Sequence, residues 1–174
     1  MSKGIEFIQK KIMSWEELSQ WRRTCKKRGE RVVFTNGCYD ILHQGHLEYL
    51  IKSAEKGNRL IVAVNSDDSI RLLNKEVNRP INDQNARSFL IASLSFVDAV
   101  VIFSEKTPED LIKLSLPDVL TKGADYDTSI RDPKNPRYIV GSDVVLANGG
   151  QVETIELLDG FSTTGIIEKI RKNN

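Results

Sequence analysis

Histidine and cysteine are among the scarcest residues of this sequence: 174 residues contain two of each, and the formal charge at neutral pH is only +1. Cys25 and Cys38 stand alone, without C-x-x-C spacing, which argues against a disulfide framework and for a reducing compartment. A zinc site built on H-x-x-H would want a third protein ligand, and Cys38 is the sole supplement, so no resident metal is expected. The near-neutral charge gives no electrostatic footprint for duplex nucleic acid and no attraction to a membrane surface. No long apolar run is present, and the first eleven residues are interrupted by Lys, Glu and Gln, unlike a signal peptide or a span. The expectation is a cytoplasmic protein with a small-molecule partner. Both common nucleotide signatures are also missing, the G-x-x-x-x-G-K-[ST] loop and the G-x-G-x-x-G dinucleotide turn.

What is present is an alternation of strand and helix patterns. Ser14-Trp15-Glu16-Glu17 has the form of a capping box, and Trp15, Leu18, Trp21 and Cys25 continue as an apolar stripe to Gly29, which predicts a helix over about 14–28. Val32-Val33-Phe34 is β-branched and aromatic. Further apolar runs at 60–64, 97–103, 117–120 and 152–158 give about five strands. Between them, Asp83, Thr107-Pro108 and Ser162 mark helix starts. Such alternation predicts an α/β fold, a doubly wound parallel sheet with helices on both faces, formed by residues 1–174 as a single domain with the first helix packed on its core. Two connections, 74–82 and 123–137, are longer or more charged than a plain link requires.

Both histidines fall in His43-Gln44-Gly45-His46, directly after Thr35-Asn36-Gly37-Cys38-Tyr39-Asp40. Ligands of open parallel sheets sit beyond the carboxyl ends of strands, and the first long strand ends at Asn36-Gly37. A helix that starts near Gly45-His46 points N–H groups and its positive dipole end at the same spot. Two imidazoles there can donate to an anion and gain charge as phosphate charge develops. Ser162-Thr163-Thr164, after Gly160, offers a second helix start rich in hydroxyls.

In order along the chain, Asn36-Gly37-Cys38-Tyr39-Asp40, His43-Gln44-Gly45-His46, Val64-Asn65-Ser66-Asp67, Arg79-Pro80, Arg87, Val97-Asp98, Lys122-Gly123-Ala124-Asp125-Tyr126 and Ser162-Thr163-Thr164 resemble the cytidylyltransferase-like nucleotidyltransferases. The resemblance runs from about Lys11 to Arg171 and implies a Rossmann-like sheet of the HxGH type. It implies that His43 and His46 are catalytic and stabilise the nucleotide phosphates. It implies nucleotide contacts from Thr35, Asn36, Gly37, Cys38, Tyr39, Asp40, Gly45, Arg87, Lys122, Asp125, Ser162, Thr163 and Thr164, and phosphate or acceptor contacts from Asn65, Asp67, Lys75 and Arg79. Within the superfamily the chain is most similar to the heptose 1-phosphate adenylyltransferases of ADP-heptose synthesis. Cys38 replaces the threonine of the G-T-F-D turn, and Leu157 replaces the arginine that precedes S-T-T in the glycerol-phosphate and choline-phosphate cytidylyltransferases.

The resemblance therefore implies in-line attack of a sugar 1-phosphate on the α-phosphate of ATP, with Mg²⁺ bridging phosphates, release of pyrophosphate and no covalent intermediate. CTP with a phosphorylated alcohol is the alternative within enzymes, and a nucleotide-binding regulatory module without turnover is the alternative outside them. Relatives fuse this domain behind a sugar kinase, whereas this chain is expected to act without one. A homodimer is expected on the same resemblance.

Overall fold

The computed structural model describes residues 2–73 and 79–173. Six parallel strands form one sheet in the order β1-β4-β3-β2-β5-β6. They are β1 (Ile12–Met13), β2 (Val32–Gly37), β3 (Arg59–Asn65), β4 (Ala99–Phe103), β5 (Val119–Gly123) and β6 (Gln151–Ile155). Among the described residues, eight helices alternate with them: α1 (Lys3–Gln9), α2 (Trp15–Lys27), α3 (Gln44–Ala54), α4 (Asp67–Leu72), α5 (Gln84–Ala92), α6 (Glu109–Ser115), α7 (Ser142–Ala147) and α8 (Thr163–Lys172). The doubly wound parallel sheet matches the sequence expectation, with one strand more than the five anticipated. That strand, β1, is two residues long and pairs Ile12 with Val100 and Met13 with Val101. Two residues are too few to show a period.

The strands are covered on both sides, and their side chains alternate accordingly. Phe34, Ile61, Ala63, Ala99, Val101 and Phe103 join α2, α6 and α7 in one buried cluster, with Leu18, Leu111, Ile112 and Val145. Val33, Leu60, Val62, Val64 and Val100 face the other cluster, with Tyr49 and Leu50 of α3 and Ile91 of α5. Each large apolar side chain removed from water contributes roughly 1.5–3 kcal/mol, so β2, β3 and β4 are the anchor of the fold.

The helix starts follow local chemistry. Ser14 Oγ accepts from the Glu17 N–H at 3.2 Å and Glu17 returns the bond to the Ser14 N–H at 2.8 Å, the capping box that the sequence predicts. Asp83 takes the N–H groups of Asn85 and Ala86 at 2.8 and 2.9 Å. The short helices α1, α4 and α7 carry too few turns to be visible as a period in the sequence. Among the described residues, no helix is long and apolar enough to cross a membrane.

Candidate active site

Strand order reverses about β2: β3, β4 and β1 lie to one side of it, β5 and β6 to the other. A crevice opens beyond the carboxyl ends at such a switch point. Here it is a cavity of about 510 Å³. Its centre is the β2 exit and the start of α3: Asn36, Gly37, Cys38, Tyr39, His43 and His46 all line it.

The two histidines are locked together. His43 is the N-cap of α3, in extended backbone, and its Nδ1 accepts the His46 N–H at 3.3 Å. An Nδ1 that accepts carries no proton, so the proton sits on Nε2. The rings stack with centroids 3.7 Å apart and planes at 19°. Burial holds the His43 pKa below its ordinary 6.5, which keeps this ring a neutral donor near pH 7. Gly45 lets them pack closely: a Cβ there would lie 3.1 Å from Phe161 Cβ and 3.2 Å from His43 Nδ1, so one of the two would have to shift. The start of α3 borders the same space through Gly45 and His46, a setting suited to an anion.

Tyr39 completes the ring series. It adopts φ of 49°, uncommon for a residue with a side chain, and its ring meets His46 edge-on at 5.3 Å. The ring also covers Gly37, where a Cβ would come within 2.9 Å of Tyr39 Cζ. Burial pushes the Tyr39 phenol well above its ordinary pKa, so it remains uncharged beside the imidazoles.

The remaining expected site residues separate into two groups. Gly45, Asn65, Lys122, Asp125, Ser162 and Thr163 line the cavity with the central group. Asn36 Oδ1 is buried there without a hydrogen-bond partner among the described residues. Lys122 places its ammonium 5.1 Å from the Tyr126 ring centre. Ser162 caps α8, its Oγ accepting from the Gly165 N–H at 3.0 Å, which leaves the hydroxyl proton to donate elsewhere. Asn65 is fixed by donating to Ser69 Oγ at 2.9 Å.

Thr35, Asp40, Asp67, Arg79, Arg87 and Thr164 are not among the lining residues. Thr35 is fully buried beneath the site, bonded to the Tyr49 hydroxyl at 2.6 Å and to the Thr121 carbonyl at 3.3 Å. Asp40 accepts from Arg79 Nε at 3.0 Å and from the N–H groups of Ile81 and Asn82 at 2.7 and 3.0 Å. Arg87 is fully buried and paired with Asp67 at 2.7 Å. Arg87 is thus committed to one carboxylate and two carbonyls of the protein, and Arg79 is tied through Nε to Asp40. Lys75 lies outside the described residues.

Sequence reasoning did not place Leu73, Lys106, Thr107, Leu158 and Phe161 in the site, yet they also line the cavity. Lys106 and Thr107 follow the carboxyl end of β4, where the strand-end rule applied to every strand would have found them. Phe161 lies 6.3 Å from the His43 ring, at 27° to it. The long 123–137 connection contributes only Gly123, Asp125 and Tyr126 to the cavity directly. The rest closes on itself through turns and an Asp127 N–H to Arg137 carbonyl bond of 3.0 Å.

Comparison with known proteins gives consistent matches. A family model described as cytidylyltransferase-like matches residues 34–169. The bifunctional protein HldE of Haemophilus ducreyi is 48% identical over 160 residues, which are 92% of this chain and 32% of that protein. The chain therefore spans about a third of the length of the curated relatives it matches. Among solved structures, a lipopolysaccharide core biosynthesis protein from Thermoplasma volcanium superposes with a TM-score of 0.57 and 29% identity, over 75% of this chain and 98% of that one. A pantoate-beta-alanine ligase from Francisella tularensis gives 0.56 at 12% identity, over 92% of this chain and 76% of the other, a likeness of fold alone.

Proposed function

The chain belongs to the cytidylyltransferase-like family, and on that premise we propose that it is an adenylyltransferase, joining ATP to a heptose 1-phosphate to form ADP-heptose and pyrophosphate. The observation that carries the reading is the stacked His43–His46 pair at the N-terminus of α3, set at the switch point of the sheet and facing the start of α8 across one cavity. The heptose acceptor is supported by the Cys38 turn, by Leu157 in place of a cationic residue before Ser162, by 48% identity with HldE, and by the likeness to a lipopolysaccharide core protein.

The cavity of about 510 Å³ spans the ends of several strands. Lys106 follows β4 and Lys122 lies on β5, with β3 and β2 between them, so the two strand ends stand about 14 Å apart at ~4.8 Å per strand. Tyr126, Leu157 and Leu158 add apolar surface on the β5–β6 side, suited to a purine, whereas Asn65, Lys106 and Thr107 add polar groups on the β3–β4 side, suited to a sugar phosphate. The α-phosphate then sits between them, at the histidines.

The acceptor phosphate is already ionised and needs no general base. One of its oxygens attacks the α-phosphorus as the bond to the pyrophosphate oxygen breaks. His43 Nε2–H and His46 donate to the oxygens on which charge grows, and the α3 N-terminus adds its N–H groups. His43 is preset for this, because its N-cap bond fixes both tautomer and ring plane. The α8 start, through Ser162 and Thr163, holds the outer phosphates, and Lys122 counters nucleotide charge.

Among the described residues no cluster of three His, Cys, Asp or Glu side chains could hold a metal. Asp125 is the single carboxylate among the described residues lining the cavity. That donor set fits Mg²⁺ carried on the triphosphate with most of its water retained, and when bound the ion would neutralise triphosphate charge. A reducing, cytoplasmic setting fits the two cysteines, neither of which is in a disulfide.

The test is pyrophosphate release measured across ATP and CTP, each with heptose 1-phosphate and glycerol 3-phosphate. Release with ATP and heptose 1-phosphate alone is the expected result. Release with CTP and glycerol phosphate would move the chain to the cytidylyltransferases, and nucleotide binding without release from any pair would make it a regulatory module.

A further inference from the structure

Arg87 is the bulkiest of the fully buried side chains, and it carries a permanent charge. A buried guanidinium is tolerated where its N–H groups find acceptors. Its Nε donates to the Asn82 carbonyl at 2.9 Å, one terminal nitrogen to the Cys38 carbonyl at 2.6 Å, and the other to the Asp67 carboxylate at 2.7 Å. Arg87 itself does not line the cavity.

The carbonyl it grips belongs to the turn that carries the site. Cys38 precedes Tyr39, whose left-handed backbone has to be held by its surroundings. Asp40, on the other side of Tyr39, is fastened to the same stretch of chain by Arg79, by the N–H groups of Ile81 and Asn82, and by Asn82 Nδ2 donating to its carbonyl at 2.6 Å. Residues on both flanks of Tyr39 are therefore clamped to the segment that leads into α5. The Tyr39 ring, so placed, meets His46 edge-on, and His46 stacks on His43.

We infer that Arg87 is a positioning residue for nucleotidyl transfer: by holding the Cys38 carbonyl it fixes the turn that sets Tyr39 against His46, and so sets the aim of His46 at the reacting phosphate. Arg87 never touches the nucleotide. Lysine cannot replace it, because one ammonium nitrogen cannot span three acceptors that a planar fork reaches separately. The inference rests on the nucleotidyltransferase reading for its rate measurement, though not for its structural one.

The experiment compares Arg87→Lys with the parent protein by pyrophosphate release, by calorimetry with ATP, and by imidazole NMR, which has only two histidines to resolve. In Arg87→Lys, kcat falls on the order of tenfold to a hundredfold, KM and Kd for ATP stay within about threefold, and the His46 signals move. If thermal unfolding finds Arg87→Lys unfolded, Asp67→Asn, which loosens the grip while keeping the guanidinium, gives the same pattern at smaller amplitude. An unchanged kcat overturns the inference, as does loss of ATP binding with the His46 signals in place, which would make Arg87 a nucleotide ligand. A parent protein that releases no pyrophosphate defeats the nucleotidyltransferase reading alone, since the His46 signals of Arg87→Lys still decide the clamp.

Discussion

His43 Nδ1 takes the backbone N–H of His46 at 3.3 Å while the two rings lie stacked at 3.7 Å, so one side chain both caps α3 and faces the cavity. Capping and chemistry can be separated by substitution. Asparagine is as good an N-cap as any residue, whereas alanine costs roughly 1 kcal/mol there. His43→Asn should therefore melt close to the parent protein, with kcat reduced on the order of 10²–10³ for the loss of one preorganised donor. His46→Asn, which removes no cap, should lose rate to a similar degree. Steady-state pyrophosphate release alongside thermal unfolding checks both, and parent-like turnover in both variants would remove the histidines from the mechanism.

The depressed pKa of His43 has a sign that can be followed into stability. Its folded value lies below the ordinary 6.5 because burial disfavours the imidazolium. As pH falls through 6.5 the unfolded chain takes up a proton that the folded chain refuses, so stability drops from there down to the folded value and is unaffected above. Urea unfolding at neutral and mildly acidic pH should accordingly show a smaller acid loss for His43→Asn than for the parent. ATP reverses the bias, because an anion beside the ring favours its charged form. Binding at mildly acidic pH should take up protons, visible as a dependence of calorimetric enthalpy on buffer ionisation, and this uptake should shrink in His43→Asn.

Gly45 offers a case in which local propensity and the site disagree. It stands in the first turn of α3, where alanine is the better helix former by about 1 kcal/mol. Yet an added methyl would press on Phe161 Cβ and on the His43 ring, both nearer than ordinary contact. Gly45→Ala should keep its melting temperature within a few degrees while kcat falls about tenfold or more, since an ångström of misplacement is costly to a preorganised site. A variant that is stable and fully active would mean that Phe161 moves aside freely, and with it the support for His43.

The legibility of this chain depended on whether a signal was local. The capping box at Ser14 and Glu17, the N-cap at Asp83 and the apolar runs of β2 to β4 are written in consecutive residues and were readable as such. So was the histidine turn, because scarcity and spacing singled it out. The destinations of Arg79 and Arg87 were not. Both look like free phosphate ligands in one dimension, and only the fold brings Asp40 and Asp67 close enough to claim them. Lys106 and Phe161 were missed for the complementary reason: neither belongs to a motif, and each reaches the cavity because a strand or helix start delivers it there.

Ser162 tests whether the far wall of the cavity meets phosphate at all. Its Oγ caps α8 by accepting from the Gly165 N–H, a role that a carboxylate fills equally well and that the helix dipole rewards. Ser162→Asp should therefore be at least as stable as the parent. The same carboxylate would stand where the outer phosphates are proposed to lie, and like charges brought this close repel. Calorimetry should find ATP binding weakened by about tenfold or more, equivalent to roughly 1.4 kcal/mol, and the weakening should diminish as salt is raised. If Ser162→Asp binds ATP as the parent does, the hydroxyl run at the start of α8 serves capping alone, and the triphosphate must lie toward Lys122 and the α3 N-terminus instead.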